Sequence, residues 1–286
     1  MAGGAGDGVG PERPRNYLFP WTIRATPRVT LRAMREHFRR NRALLERAIL
    51  AFILPGVAGV INASGFFAVG TYTSHVTGNV ARIGDELAAG HLWLAARALI
   101  FVLSFTIGAM TSTLLILYGK RAGFAPYWRP LLLECAIVFV FATVSVNAEK
   151  RAHINSLAMT ALICMAMGLQ NALVTKLSGA RLRTTHMTGI TTDIAIETAR
   201  AVDGWWQRRQ GQSTSGAVAP DVRKLRLHVA ILGSFMAGAI LGPLLYLAVG
   251  HISMLLPCAV LLGLAAFDGW MGLSAHTFEP SIQSMQ

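Results

Sequence analysis

The sequence predicts an all-α, polytopic membrane protein assembled from two tandem structural repeats, and three observations predict it. Hydrophobic residues fill 53% of the 286 positions and charged residues only 14%, a balance unlike that of a soluble domain. Nearly charge-free runs of roughly 17 to 23 residues begin near Ala48, Ala98, Pro130, Ile154, His228 and Ile252, and each is long enough to cross a hydrocarbon core. Finally, Thr73-Ser74-His75-Val76-Thr77-Gly78-Asn79 returns as Thr184-Thr185-His186-Met187-Thr188-Gly189-Ile190, 111 residues further on.

The echo extends beyond that motif. Gly59, Asn62 and Ala63 reappear as Gly168, Asn171 and Ala172. Ser104-Phe105 and Gly108-Ala109 reappear as Ser234-Phe235 and Gly238-Ala239, and Cys135-Ala136 as Cys258-Ala259. The offset widens after the second motif, which places an insertion in the polar residues 201–227. The resulting organisation is a basic leader over 1–47, a first repeat over 48–147, a second over 148–270 that includes the 201–227 loop, and a tail over 271–286.

In the leader, Leu31, Met34, Phe38 and Leu45 share one helical face, and Arg32, Arg35, Arg39 and Arg42 another. This predicts either an interfacial helix held by anionic headgroups or a flexible tail whose charges set orientation. The first span carries Pro55, Gly56, Gly59, Asn62, Ser64 and Gly65, so its lower half is expected to be irregular. The two Thr-Gly motifs are too polar for ordinary spans and are expected as re-entrant or half-length helices beside six full spans. If they do not cross, each repeat has three crossings and the copies are inverted, an architecture recurrent in transporters. If they cross, the copies are parallel. Residues 201–227, with Trp205, Trp206, Arg208 and Arg209, read as an amphipathic edge followed by a flexible connector.

Charge assigns the faces. Of the 26 Lys and Arg, 22 fall in the leader and the connections after the second and fourth spans; Arg82, Arg97, Lys150 and Arg151 fall on the other side. The positive-inside rule then puts both termini in the cytoplasm. The net charge of +12 is accounted for by topology, and no aromatic interleaving accompanies it, so nucleic acid is not an expected partner.

The candidate binding or translocation residues are Asn62, Thr73, His75, Thr77, Gly78 and Asn79 in the first repeat. Their counterparts are Gln170, Asn171, Thr185, His186, Thr188, Gly189 and Asp193 in the second. Threonine hydroxyls can satisfy freed carbonyls or offer oxygen to a solute, and glycine permits close backbone approach. The paired histidines could carry protons, or could be neutral rings bonded to backbone where a helix begins. The amides could equally fasten helices together. Glu134 has Pro257 as its counterpart and is expected near a span end, snorkelling to the interface; Asp268, Trp270, Trp128 and Trp93 read as interfacial anchors. Cys135, Cys164 and Cys258 lie in apolar runs without ligand spacing, so no disulfide, metal or cofactor is expected.

Taken together, Gly59, Asn62 and Ala63, Thr77-Gly78-Asn79, Gly168-Leu169-Gln170-Asn171-Ala172, and Thr184, Thr185, Thr188 and Gly189 resemble the YoaK-type family of small bacterial integral membrane proteins. The resemblance covers roughly residues 48–270. It implies a six-span protein of the bacterial inner membrane with no assigned substrate or reaction. Relatives often carry Asp where this chain has Asn62. Three functions are then expected to compete: a small-solute permease, a passive structural or accessory protein, and an intramembrane enzyme. The last is the weakest, since H-E-x-x-H, G-x-S-x-G and a supported S-x-x-K are missing from the sequence.

Overall fold

Long apolar runs dominate this chain, and its elements are accordingly long helices, which take in prolines such as Pro55 and Pro243. The computed structural model describes residues 52–149, 156–177, 187–211 and 219–276, and among them every regular element is helical. These are α1 (Phe52–Val69), α2 (Val76–Ala88), α3 (Leu92–Arg121), α4 (Trp128–Glu149), α5 (Ser156–Leu177), α6 (Met187–Arg209), α7 (Val222–Val249) and α8 (Leu255–His276). The leader with its expected surface helix lies outside the described residues, as do Thr184, Thr185 and His186.

Among the described residues, five stretches are long and apolar enough to cross a bilayer: Phe52–Val69, Leu92–Arg121, Trp128–Ser145, Leu157–Leu177 and Val222–Trp270. The last is 49 residues long and holds both α7 and α8, separated by a 3-10 turn at Gly250–Met254. Gly250 makes that break with φ 63° and ψ −144°, a combination essentially restricted to glycine. Leu99, Leu103, Ile107, Met110 and Leu114 stand exposed along α3, and Met236, Ile240, Leu244 and Leu247 along α7. Faces of that kind suit acyl chains, and the chain is a membrane protein.

The interior is built around α5, whose Ile163, Met167, Leu169 and Leu173 are fully enclosed, together with Leu54 and Ile61 of α1, Leu131 and Phe141 of α4 and Leu261 of α8. Two crossings need glycine. Where α3 meets α5, a side chain at Gly168 would strike the Phe105 carbonyl, and one at Gly108 the Met165 carbonyl. Where α1 meets α7, a side chain at Gly59 would strike the Phe235 carbonyl, and one at Gly238 the Gly56 carbonyl. Each obstacle is backbone, so the helices meet main chain to main chain. Helices α4 and α8 meet at a pair of thiols: the Cys135 thiol donates to the Cys258 carbonyl at 3.4 Å, and the Cys258 thiol to the Cys135 carbonyl at 3.7 Å.

Four expectations are corrected. Helix α1 is continuous from Phe52 to Val69 despite Pro55. The carbonyls flanking the proline accept side-chain hydrogen bonds from neighbouring helices, Phe52 from Ser234 Oγ at 2.7 Å and Leu54 from Gln170 Nε2 at 2.9 Å. The 201–227 connector is shorter than expected, because α6 runs to Arg209 and α7 starts at Val222. Asp221 caps α7 by accepting from Lys224 N at 2.9 Å, and Arg208 and Arg209 suit the carbonyl end of α6. Asp268 is no surface anchor: it is 1% exposed and accepts from Tyr127 N and Trp128 N, at 2.8 and 2.6 Å, at the start of α4. Glu134 does not snorkel either, being fully buried in the second turn of α4.

Candidate functional site

The C-terminal half of α1 and the segment after it form the first polar centre. Helix α1 ends at Gly70, whose φ of 74° lets the chain turn back. That turn brings Ser74 under α1, where its backbone N–H donates to Asn62 Oδ1 at 3.1 Å. Thr73 is folded inward beside Gly65 and is 1% exposed. Ser64 is fully buried against Gly242 of α7. Neither the Ser64 nor the Thr73 hydroxyl has a hydrogen-bond partner among the described residues. Each such orphan costs roughly 1–3 kcal/mol in an apolar surrounding.

From Ser74 the chain enters α2, with His75 at the N-cap position and no side-chain cap bond. The imidazole folds over Gly78, where any Cβ would strike the ring. The H-x-x-G spacing is thus a local packing device at a helix start. His75 and Thr77 are exposed, Gly78 is half-buried, and Asn79 is buried on the other face of α2. In the second copy the described part begins at Met187, the start of α6. Thr188 is exposed, with its carbonyl accepting from Thr192 Oγ1 at 2.9 Å, and Gly189 is half-buried.

Gln170 and Asn171 lie on α5. Gln170 is fully buried; its amide N–H bonds the Leu54 carbonyl of α1, while its Oε1 has no partner among the described residues. Asn171 is half-buried and its carbonyl accepts from Thr175 Oγ1 at 2.7 Å. The structure therefore brings the polar residues of α1 and α5 together across a helix contact. Helix α2 packs on α3 and α6 on α7, and no extended α2–α6 contact joins the two motifs among the described residues.

Charged residues gather where α2 meets α3 and where α6 meets α7. Glu86 Oε1 accepts from Arg82 Nε at 3.2 Å, and its Oε2 lies 3.0 Å from His91 Nδ1. The His91 hydrogen bond is the main reason the Glu86 carboxyl is held below its ordinary value; desolvation opposes it and Arg82 adds to it. In the α6–α7 pair, Glu197 is 2% exposed and accepts from Arg200 Nη1 and from Asp221 N, both at 2.9 Å. Asp193 bonds Lys224 Nζ at 3.2 Å and faces the buried His228, whose Nδ1 is 3.7 Å away.

Glu134 is the group that sequence reasoning set aside. It is fully enclosed within α4 and neither carboxyl oxygen has a partner among the described residues. Its visible signal was a carboxylate inside an otherwise apolar run, and the lack of a counterpart in the second repeat concealed it.

Comparison with known proteins agrees with the resemblance read from the motifs. Residues 50–267 match the model of a family described as protein of unknown function DUF1275. No curated protein and no solved structure matches the chain.

Proposed function

The chain belongs to the DUF1275 family, and from that premise we propose that it is a permease for a small solute, in which α1 and α5 carry the polar path. The observation that carries this reading is the group of enclosed polar atoms on and beside those two helices. Ser64 Oγ, Thr73 Oγ1 and Gln170 Oε1 hold unused hydrogen-bonding capacity inside an apolar body. Membrane proteins keep such groups where a polar solute or water meets them.

The proposed architecture is six crossing helices, α1, α3, α4, α5, α7 and α8, with α2 as a half-length polar helix and α6, at 23 residues, as a polar helix that is not half-length as expected. At 13 residues, α2 is about 20 Å long against a core of about 30 Å. We read the two halves as inverted repeats. In favour of this, α2 and α6 begin at equivalent motif positions, Val76 and Met187. The glycine contacts are also reciprocal, since Gly59 with Phe235 and Gly238 with Gly56 correspond by the sequence echo to Gly168 with Phe105 and Gly108 with Met165. The charge distribution favours cytoplasmic termini in a bacterial inner membrane, with the arginine-rich leader on anionic headgroups.

Uptake by proteoliposomes, screened over a panel of small solutes, tests the proposal. Thr73→Val and Gln170→Leu should abolish uptake while the protein still inserts and elutes as the wild type does. A second reading, a passive scaffold, is favoured by the backbone contacts at Gly59, Gly108, Gly168 and Gly238, which are enough to hold helices with no solute involved. Wild-type protein that transports nothing on the panel would favour the scaffold.

A further inference from the structure

We infer that Glu134 is a proton-binding site that exchanges with bulk water, and that the proton is the ion coupled to transport. The coupling rests on the permease reading above; the binding does not.

The carboxyl is wholly buried and both oxygens lack partners, so nothing in the folded state compensates a negative charge there. The elements packed on α4 are α8, α5, the 3-10 turn and α3. The titratable and charged groups they bring include Cys258 and Asp268 from α8, Cys164 and Lys176 from α5, His251 from the turn, and Arg97, Tyr118, Lys120 and Arg121 from α3. None forms an ion pair with Glu134 among the described residues. Asp268 is committed to Tyr127 N and Trp128 N. On α4 itself, the Arg129 guanidinium lies over the rings of Tyr118, Phe124 and Trp128, 4.7 to 5.3 Å from their centroids. No cluster of three metal-ligating side chains occurs among the described residues. A single carboxyl with neither a cation nor co-ligands is suited to one cation only, the proton, which needs no further ligand and removes the charge on binding.

Exchange requires access. The residue next to Glu134, Cys135, meets Cys258 of α8 through two thiol–carbonyl contacts, and thiols are poor donors. The stronger bonds between these helices, from Tyr127 N and Trp128 N to Asp268, lie at the start of α4. Parting of α4 from α8 would expose the carboxyl. An O–H bond then forms with a proton delivered by hydronium on one face, and breaks on the other face with return of that proton to water.

Infrared difference spectroscopy on the full-length protein in lipid nanodiscs tests the site without reference to transport. The expected result is a protonated-carboxyl C=O band that shifts in deuterium oxide, diminishes on alkaline titration, and is missing from Glu134→Gln, which keeps the side chain's shape. Glu134→Asp should retain the band at an altered position, which guards against a misfolded glutamine variant. A band that survives in Glu134→Gln, or one that neither exchanges nor titrates, overturns the inference. In proteoliposomes an imposed pH gradient should accelerate wild-type uptake, while Glu134→Gln should retain uptake without that response; an equal response in both overturns the coupling. Failure of the wild type to transport any solute, with the infrared result intact, sinks the permease reading and the coupling but leaves the proton site standing.

Discussion

A carboxyl enclosed without partners weakens the fold that holds it. Glu134 forgoes the hydrogen bonds it would make to water, and nothing among the described residues replaces them. Methionine matches its length and carries no such requirement, so Glu134→Met should stabilise the protein by about 1–3 kcal/mol. Thermal unfolding in detergent would measure this, and a lower melting temperature would contradict it. Glu86 is the opposite case, a half-buried acid that gains from its neighbours. Because His91 and Arg82 hold its carboxyl below the ordinary value, the ionised form is preferred in the folded state. Its contribution is present above the unfolded-state value and is lost as the pH falls through the lower folded-state value. The stability gap between wild type and Glu86→Gln should therefore close on acidification, and a gap that widens would be inconsistent with the pairing. Residues such as these were only partly legible in the sequence. One of the two readings of the paired histidines put them where a helix begins, and α2 does begin at His75, whose ring folds over Gly78. The roles of Glu134 and Asp268 depend on helices more than 100 residues away in the chain, and no local pattern encodes such a neighbour.

At the scale of elements, glycines that look alike in the sequence differ in what surrounds them. In α3 and α5, Gly108 and Gly168 each face a carbonyl of the opposite helix, which cannot yield without moving the helix. Gly168→Ala should cost at least the 1–3 kcal/mol typical of overpacking. A Cβ at Gly233 in α7 would meet nothing within 4 Å among the described residues, so Gly233→Ala should be neutral or stabilising by about 0.5–1 kcal/mol. Comparing the two variants by thermal shift checks the assignment, and equal responses would refute it. The helices themselves were largely readable, since uninterrupted apolar runs leave few alternatives. Their ends were less so. Helix α6 takes in the stretch read as an amphipathic edge, through Trp205 and Trp206 to Arg209, so the connector begins only after it; helix propensity and favourable terminal charge outweigh polarity there. The bonds that fasten the start of α1 come from Ser234 of α7 and Gln170 of α5, and no local pattern announces them.

For the whole molecule, the decisive quantity is how many times the chain crosses. The bare length of α2 favours six, and single-cysteine labelling distinguishes the models. Ala89 follows α2 and Ala122 follows α3, and both are exposed. With six crossings, Ala89→Cys should react only from the outer side and Ala122→Cys only from the cytoplasm; with eight, the two patterns exchange. The native thiols of Cys164 and Cys258 are buried and that of Cys135 half-buried, so background labelling should be low. The sequence echo anticipated a paired arrangement, but it could not say that the polar residues of α1 and α5 would be drawn together while the motif helices packed on separate partners. Which helices touch depends on the tertiary arrangement, and one repeat unit read alone does not contain it.

Gly250 opens the short turn that divides 49 greasy residues into two helices. Any residue with a side chain would be strained in that backbone conformation, so a replacement there would pull against the break that keeps each helix near the length of one crossing.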